Sequence, residues 1–149
     1  VPREGEEVVR AAVVVAPDKI VSMYEFLNVF FFVFHTALIL FILLGWLWTK
    51  TRKINLAVVI LTAFSWFFLG IWYGFGYCPS TDWHWQVRMR LGYYDMPSSY
   101  LTFLIRSLFG WKVDKTLVDV FAVVFLLLAI FVSVVTNYRD WKNRRDRSG

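Results

Sequence analysis

One stretch restricts the fold of this chain more than any other. From Ile54 to Thr81, INLAVVILTAFSWFFLGIWYGFGYCPST, there is no charged residue. A bilayer hydrocarbon core is spanned by about 20 mostly apolar residues in a helix. A helix satisfies its own backbone hydrogen bonds, which lipid cannot do for it. The run is apolar all round rather than on one stripe, so it reads as a membrane-spanning helix and not as a helix of a soluble core.

Two further uncharged runs occur, Phe26 to Thr49 and Val120 to Tyr138. The chain is 58% hydrophobic, well above the roughly 45–50% of soluble domains. The expected fold is all-α: an integral membrane protein with three transmembrane helices, at about residues 24–49, 54–77 and 117–138. A short amphipathic helical segment, 81–115, lies between the second and third spans. The three-span domain covers 23–141, followed by a basic tail, 142–149.

Residues 1–22 differ from the rest. Their AAVVVA run is short and follows the acids Glu4, Glu6 and Glu7, the wrong charge for a signal peptide. Met23 directly precedes the first span and marks a candidate start. The segment reads as a peripheral or poorly ordered extension.

The formal net charge is +5, but the basic residues adjoin apolar spans. That pattern indicates topology and anionic headgroups, with no nucleic-acid partner. Lys50, Arg52 and Lys53 fill the first turn, and Arg139, Lys142, Arg144, Arg145 and Arg147 fill the tail. The positive-inside rule puts both in the cytoplasm. The N-terminus and the 82–119 segment then face the periplasm of a bacterial inner membrane.

Within the outer segment, TDWHWQVRMRLG reads as a helix opened by Thr81 or Asp82 and stopped by Gly92. SSYLTFLIRSLFG reads as a second, ending at Gly110. Its Leu101, Leu104, Ile105 and Leu108 share a face, so the helix is expected to lie at the membrane interface or cover the bundle mouth. The third span is opened either by Thr116 with Asp119 or by Asp114.

Candidate sites are few. His35 sits mid-span, where a polar residue is costly and marks a functional hypothesis. It either contacts a haem or quinone, relays a proton, or pairs with Thr62, Ser65 or Trp66 at similar depth. Gly70 and Gly74 form a small-xxx-small pair, a candidate helix-packing face. Trp83, His84, Trp85, Arg88 and Arg90 form an aromatic and basic edge, read as an interfacial anchor or a surface for lipid or a partner. The single cysteine, Cys78, excludes an internal disulfide and a multi-thiolate metal site. A nucleophilic Cys78–His84 pair is disfavoured because Pro79 interrupts the helical spacing. No catalytic or metal-ligating residue is expected.

Phe34-His35-Thr36, Gly45-Trp46 and the junction from Gly76 to Thr81, with Tyr100 in a later amphipathic helix, resemble a bacterial family of small integral membrane proteins of unknown function. The resemblance covers Met23 to Trp141 and is greatest to Bacteroidetes members. Many relatives carry a glutamate where Trp72 stands and an acid where His84 stands. It implies fold and location, and no activity or cofactor. The expected role is a non-enzymatic accessory or scaffold subunit, in contact with lipid and with another membrane protein or a second copy. The alternatives are a haem- or quinone-binding protein using His35, and a membrane-embedded enzyme acting on lipid.

Overall fold

A computed structural model describes residues 18–97 and 99–148, which are helical with no strand among them. The elements are α1 (Asp18–Leu44), α2 (Arg52–Tyr73), α3 (Pro79–Arg90), α4 (Tyr100–Phe109) and α5 (Lys115–Ser148). Helices α1, α2 and α5 are long and apolar enough to cross a membrane. Helices α3 and α4 form a cap over one end of the three. The expectation for residues 1–22 falls mostly outside the described residues, but Asp18–Ser22 already belong to α1.

Span ends differ from expectation by several residues. Helix α1 stops at Leu44, and Gly45 to Thr51 form a tight turn. Helix α2 stops at Tyr73, before the glycine-rich exit. Helix α5 runs 34 residues, roughly 50 Å at 1.5 Å per residue. That exceeds a hydrocarbon core of about 30 Å, so residues beyond Tyr138 continue the helix instead of forming a separate tail. Of the two competing caps, Asp114 opens α5, accepting from the Leu117 amide at 3.0 Å. Asp119 instead pairs with Lys115 at 3.2 Å.

The packing is uneven. Helix α2 lies along α5, and α1 is covered mainly by α3. Ile42, Val59, Leu126 and Ala129 form the buried apolar cluster. The buried line on α5 is Val118, Ala122, Leu126, Ala129 and Ser133. Small side chains at three of these positions let α2 approach closely, which matters in lipid, where the hydrophobic drive between helices is weak. The small-residue face therefore lies on α5. Gly74 ends α2 with φ at +102°, and a Cβ on Gly70 would meet Phe75 of its own chain at 3.3 Å.

Polar contacts fasten the end opposite the cap. Arg52 donates to both carboxylate oxygens of Asp140, at 2.8 and 2.9 Å, and to the Trp46 carbonyl at 2.9 Å. Asn137 donates to the Arg52 carbonyl at 3.0 Å. Fully buried Asn55 donates to the Phe41 carbonyl at 2.7 Å, satisfying an acceptor near the end of α1. A Cβ at Gly45 would stand 2.6 Å from that carbonyl and 2.8 Å from Asn55 Nδ2. Gly45→Ala is therefore expected to cost about 1–3 kcal/mol through overpacking, read as a lowered Tm in detergent. An unchanged Tm would show that this contact does not hold the α1–α2 turn.

Candidate functional site

The cap starts where α2 can no longer continue. Gly74 and Gly76 take positive φ, and Cys78 is extended. Pro79 then opens α3, the helix position where a missing N–H costs least. Helix α3 thus begins two to three residues before the expected Thr81 or Asp82. Gly92 and Gly110 stop α3 and α4 with φ of +82° and +69°, as the sequence indicated.

Helix α3 buries His84 and Val87 against the bundle. His84 is fully buried, so it is not part of an exposed edge. Its Nε2 lies 2.9 Å from Asn28 Oδ1. That oxygen can only accept, so Nε2 carries the proton. The buried Nδ1 has no partner, and a second proton there would find no acceptor. Burial, reinforced by the nearby Arg88 charge, pushes the His84 pKa down to about 4. Trp83 is exposed, Trp85 is half-buried against Tyr100 and Phe103, and Arg90 is exposed. Arg88 is half-buried, with its guanidinium over the rings of Tyr93 and Phe103. The five residues expected to share one edge are thus split between surface and interior.

His35 is buried in α1, yet none of the three expected partners on α2 holds it. Its Nδ1 lies 3.1 Å from Ser80 Oγ, at the start of α3. Ser80 Oγ also lies 3.1 Å from Cys78 Sγ. The His35 ring stacks on Tyr100 of α4, with centroids 3.8 Å apart and planes at 25°. Burial raises the Tyr100 pKa to about 12, so the phenol stays protonated. One histidine therefore gathers α1, α3 and α4. Cys78 approaches His35 through Ser80, and among the described residues no hydrogen bond joins it to His84.

Beside this junction is a half-open cleft of about 570 Å³, within the range of small-molecule sites. It lies between α1, which packs mainly on α3, and α2, which packs mainly on α5. Leu38, Ile39, Ile42, Val58 and Leu61 line its apolar part. His35, Cys78, Ser80, Tyr100, Lys115 and Asp119 line the polar end. Along the cleft, Ser65–Leu69 winds as a π-helical turn. Such turns inside α-helices are frequent at functional sites. Ser65 uses its hydroxyl on the Tyr77 carbonyl at 2.8 Å, tying down the glycine-rich exit.

Sequence reasoning missed Ser80 and Tyr100 as partners of His35, Lys115 and Asp119 as lining the same cleft, and Asn28 as the partner of His84. Asn28 carried a usable signal, being a lone amide inside an apolar run. Among the described residues, no group of three or more His, Cys, Asp or Glu side chains is placed to hold a metal.

The His84 geometry has a consequence for stability. Its folded pKa lies below that of the unfolded chain, so the unfolded state binds more protons between about pH 6.5 and 4. Stability is full above that window and falls as the pH drops through it. The Tm in detergent is expected to fall as the pH is lowered from 7 to 5, and His84→Phe to flatten that slope. Equal slopes in the two proteins would remove His84 as its source.

No curated protein and no solved structure matches the chain. A family model described as "Protein of Unknown function (DUF2784)" matches residues 25–138, the greater part of the chain and all of the cap and cleft. It begins just before Phe26 and ends at Tyr138, where α5 leaves its apolar stretch. The protein belongs to the DUF2784 family of proteins of unknown function.

Proposed function

We propose that this membrane protein holds a neutral amphiphile in the cleft between α1 and α2, with a carbonyl-bearing head of the quinone type at His35. The observation that carries this reading is the combination of an apolar trough and a single polar end. The bonded His35–Ser80 pair keeps one donor free, His35 Nε2–H when Ser80 donates to Nδ1, and a carbonyl accepts it, while the Tyr100 hydroxyl is turned to the Phe32 carbonyl at 3.4 Å. Lys115 is neutralised by Asp119 at 3.2 Å, so the polar end does not call for a charged head. The apolar body would lie along Leu38, Ile42, Val58 and Leu61, where burial of hydrocarbon is favourable.

In this reading the protein is an accessory subunit of a bacterial inner membrane assembly, with the cap on the periplasmic side and the basic turn in the cytoplasm. The strongly exposed Trp72, Tyr73 and Phe75 at the α2 exit support a contact with a further membrane component. Aromatic residues at that depth also suit the lipid interface.

The test is purification in mild detergent followed by solvent extraction and mass spectrometry of small molecules. A quinone-type amphiphile is expected near one per chain in the wild type. At least a tenfold reduction is expected in His35→Ala and in Leu38→Trp, which fills the trough. Full retention in both variants, or no bound amphiphile in the wild type, would overturn the reading. A Soret band that vanishes in His35→Ala would replace the quinone with haem.

A further inference from the structure

A second cleft, of about 560 Å³, lies away from the first on the outer face of the cap. Arg88, Tyr93, Tyr94, Asp95, Phe103 and Arg106 line it. Its charges do not balance. Arg106 is taken by Asp95 at 2.6 Å. Arg88 has no carboxylate within ion-pair distance among the described residues. It donates to Asn28 Oδ1 at 3.5 Å, a long bond to an oxygen that His84 already holds at 2.9 Å.

The Arg88 side chain is held in place all the same. Its guanidinium sits 4.5 Å from the Tyr93 ring centroid and 4.7 Å from that of Phe103. Its buried Nε makes no hydrogen bond, and neither does the buried Tyr94 hydroxyl. A partly buried cation fixed between two rings, without a counter-charge, is costly unless an anion completes it. Arginine's planar fork matches the oxygens of a phosphate.

From these contacts we infer that the cleft binds the phosphate of an anionic lipid headgroup, with Arg88 as its principal ligand and Arg106 at its rim. Depth argues for a lipid over free phosphate. Arg88 reaches Asn28, three residues on from Glu25, the last charged residue of α1 before its apolar stretch. That is the level at which headgroups meet a spanning helix. The exposed part of the Tyr93 ring gives the adjoining glycerol and upper acyl chain an apolar wall. The cleft is separate from the His35 cleft, and the inference does not depend on what the latter holds.

The experiment titrates the full chain in detergent with phosphatidylglycerol, phosphatidylcholine or inorganic phosphate, reading retained lipid by native mass spectrometry and Tm in parallel. Phosphatidylglycerol is expected to bind at least tenfold more tightly than phosphatidylcholine. Arg88→Gln is expected to bring the two level, and His35→Ala to leave the preference intact. Asp95, whose side chain is 79% exposed, offers a variant that does not disturb the interior. Asp95→Asn releases Arg106 and is expected to strengthen phosphatidylglycerol binding severalfold, which keeps the test decisive if Arg88→Gln fails to fold. No preference between the two lipids, or an unchanged preference in both variants, would overturn the proposal. A Tm rise with millimolar phosphate that phosphatidylglycerol does not reproduce would also overturn it, in favour of a free-phosphate site.

Discussion

The arrangement of this protein turns on the need to satisfy one imidazole inside a spanning helix. His35 cannot be left unpartnered in hydrocarbon without a cost of several kcal/mol. Its solution comes from a segment that leaves the bundle and returns. Ser80 meets the ring at Nδ1, and Tyr100 covers its face. The two partners lie on separate helices of the cap, so satisfying one side chain sets the position of both. His84 repeats the device one layer further out, pairing α3 with Asn28 of α1.

The cleft follows from that docking. Small residues on α5 draw α2 close, while the cap draws α1 toward α3. The two neighbouring spans thus pack mainly on different partners, and the cleft lies between them. At the end opposite the cap Asn55, Gly45 and the Arg52–Asp140 pair keep them joined. The π-helical turn of α2 falls where the gap opens, so the helix that borders the gap is itself the irregular one.

Much of this was legible in the residues. Three charge-free runs identify the spanning helices, because a bilayer excludes charge over a fixed thickness. Gly92 and Gly110 announce the ends of the cap helices, because a left-handed residue after a helix is cheap for glycine alone. The partner of His35 was not legible. Depth along an antiparallel neighbour points to Thr62, Ser65 or Trp66, but depth says nothing of a segment that re-enters the bundle. Gly70 and Gly74 stand one turn apart by spacing, and spacing alone does not reveal that Gly74 is the residue that closes α2, with φ at +102°. His84 was misjudged because hydropathy reads a polar helix as exposed, whereas α3 buries one narrow line of itself.

The central claim is that the space between α1 and α2 is a ligand site and not an accident of loose packing. An experimental map of the protein reconstituted in lipid nanodiscs addresses this most directly. Elongated density is expected in the gap, running past Leu38 and Val58 and ending within hydrogen-bonding distance of His35 or Ser80. A closed gap, with α1 and α2 in contact along their length and His35 still bonded to Ser80, would contradict it.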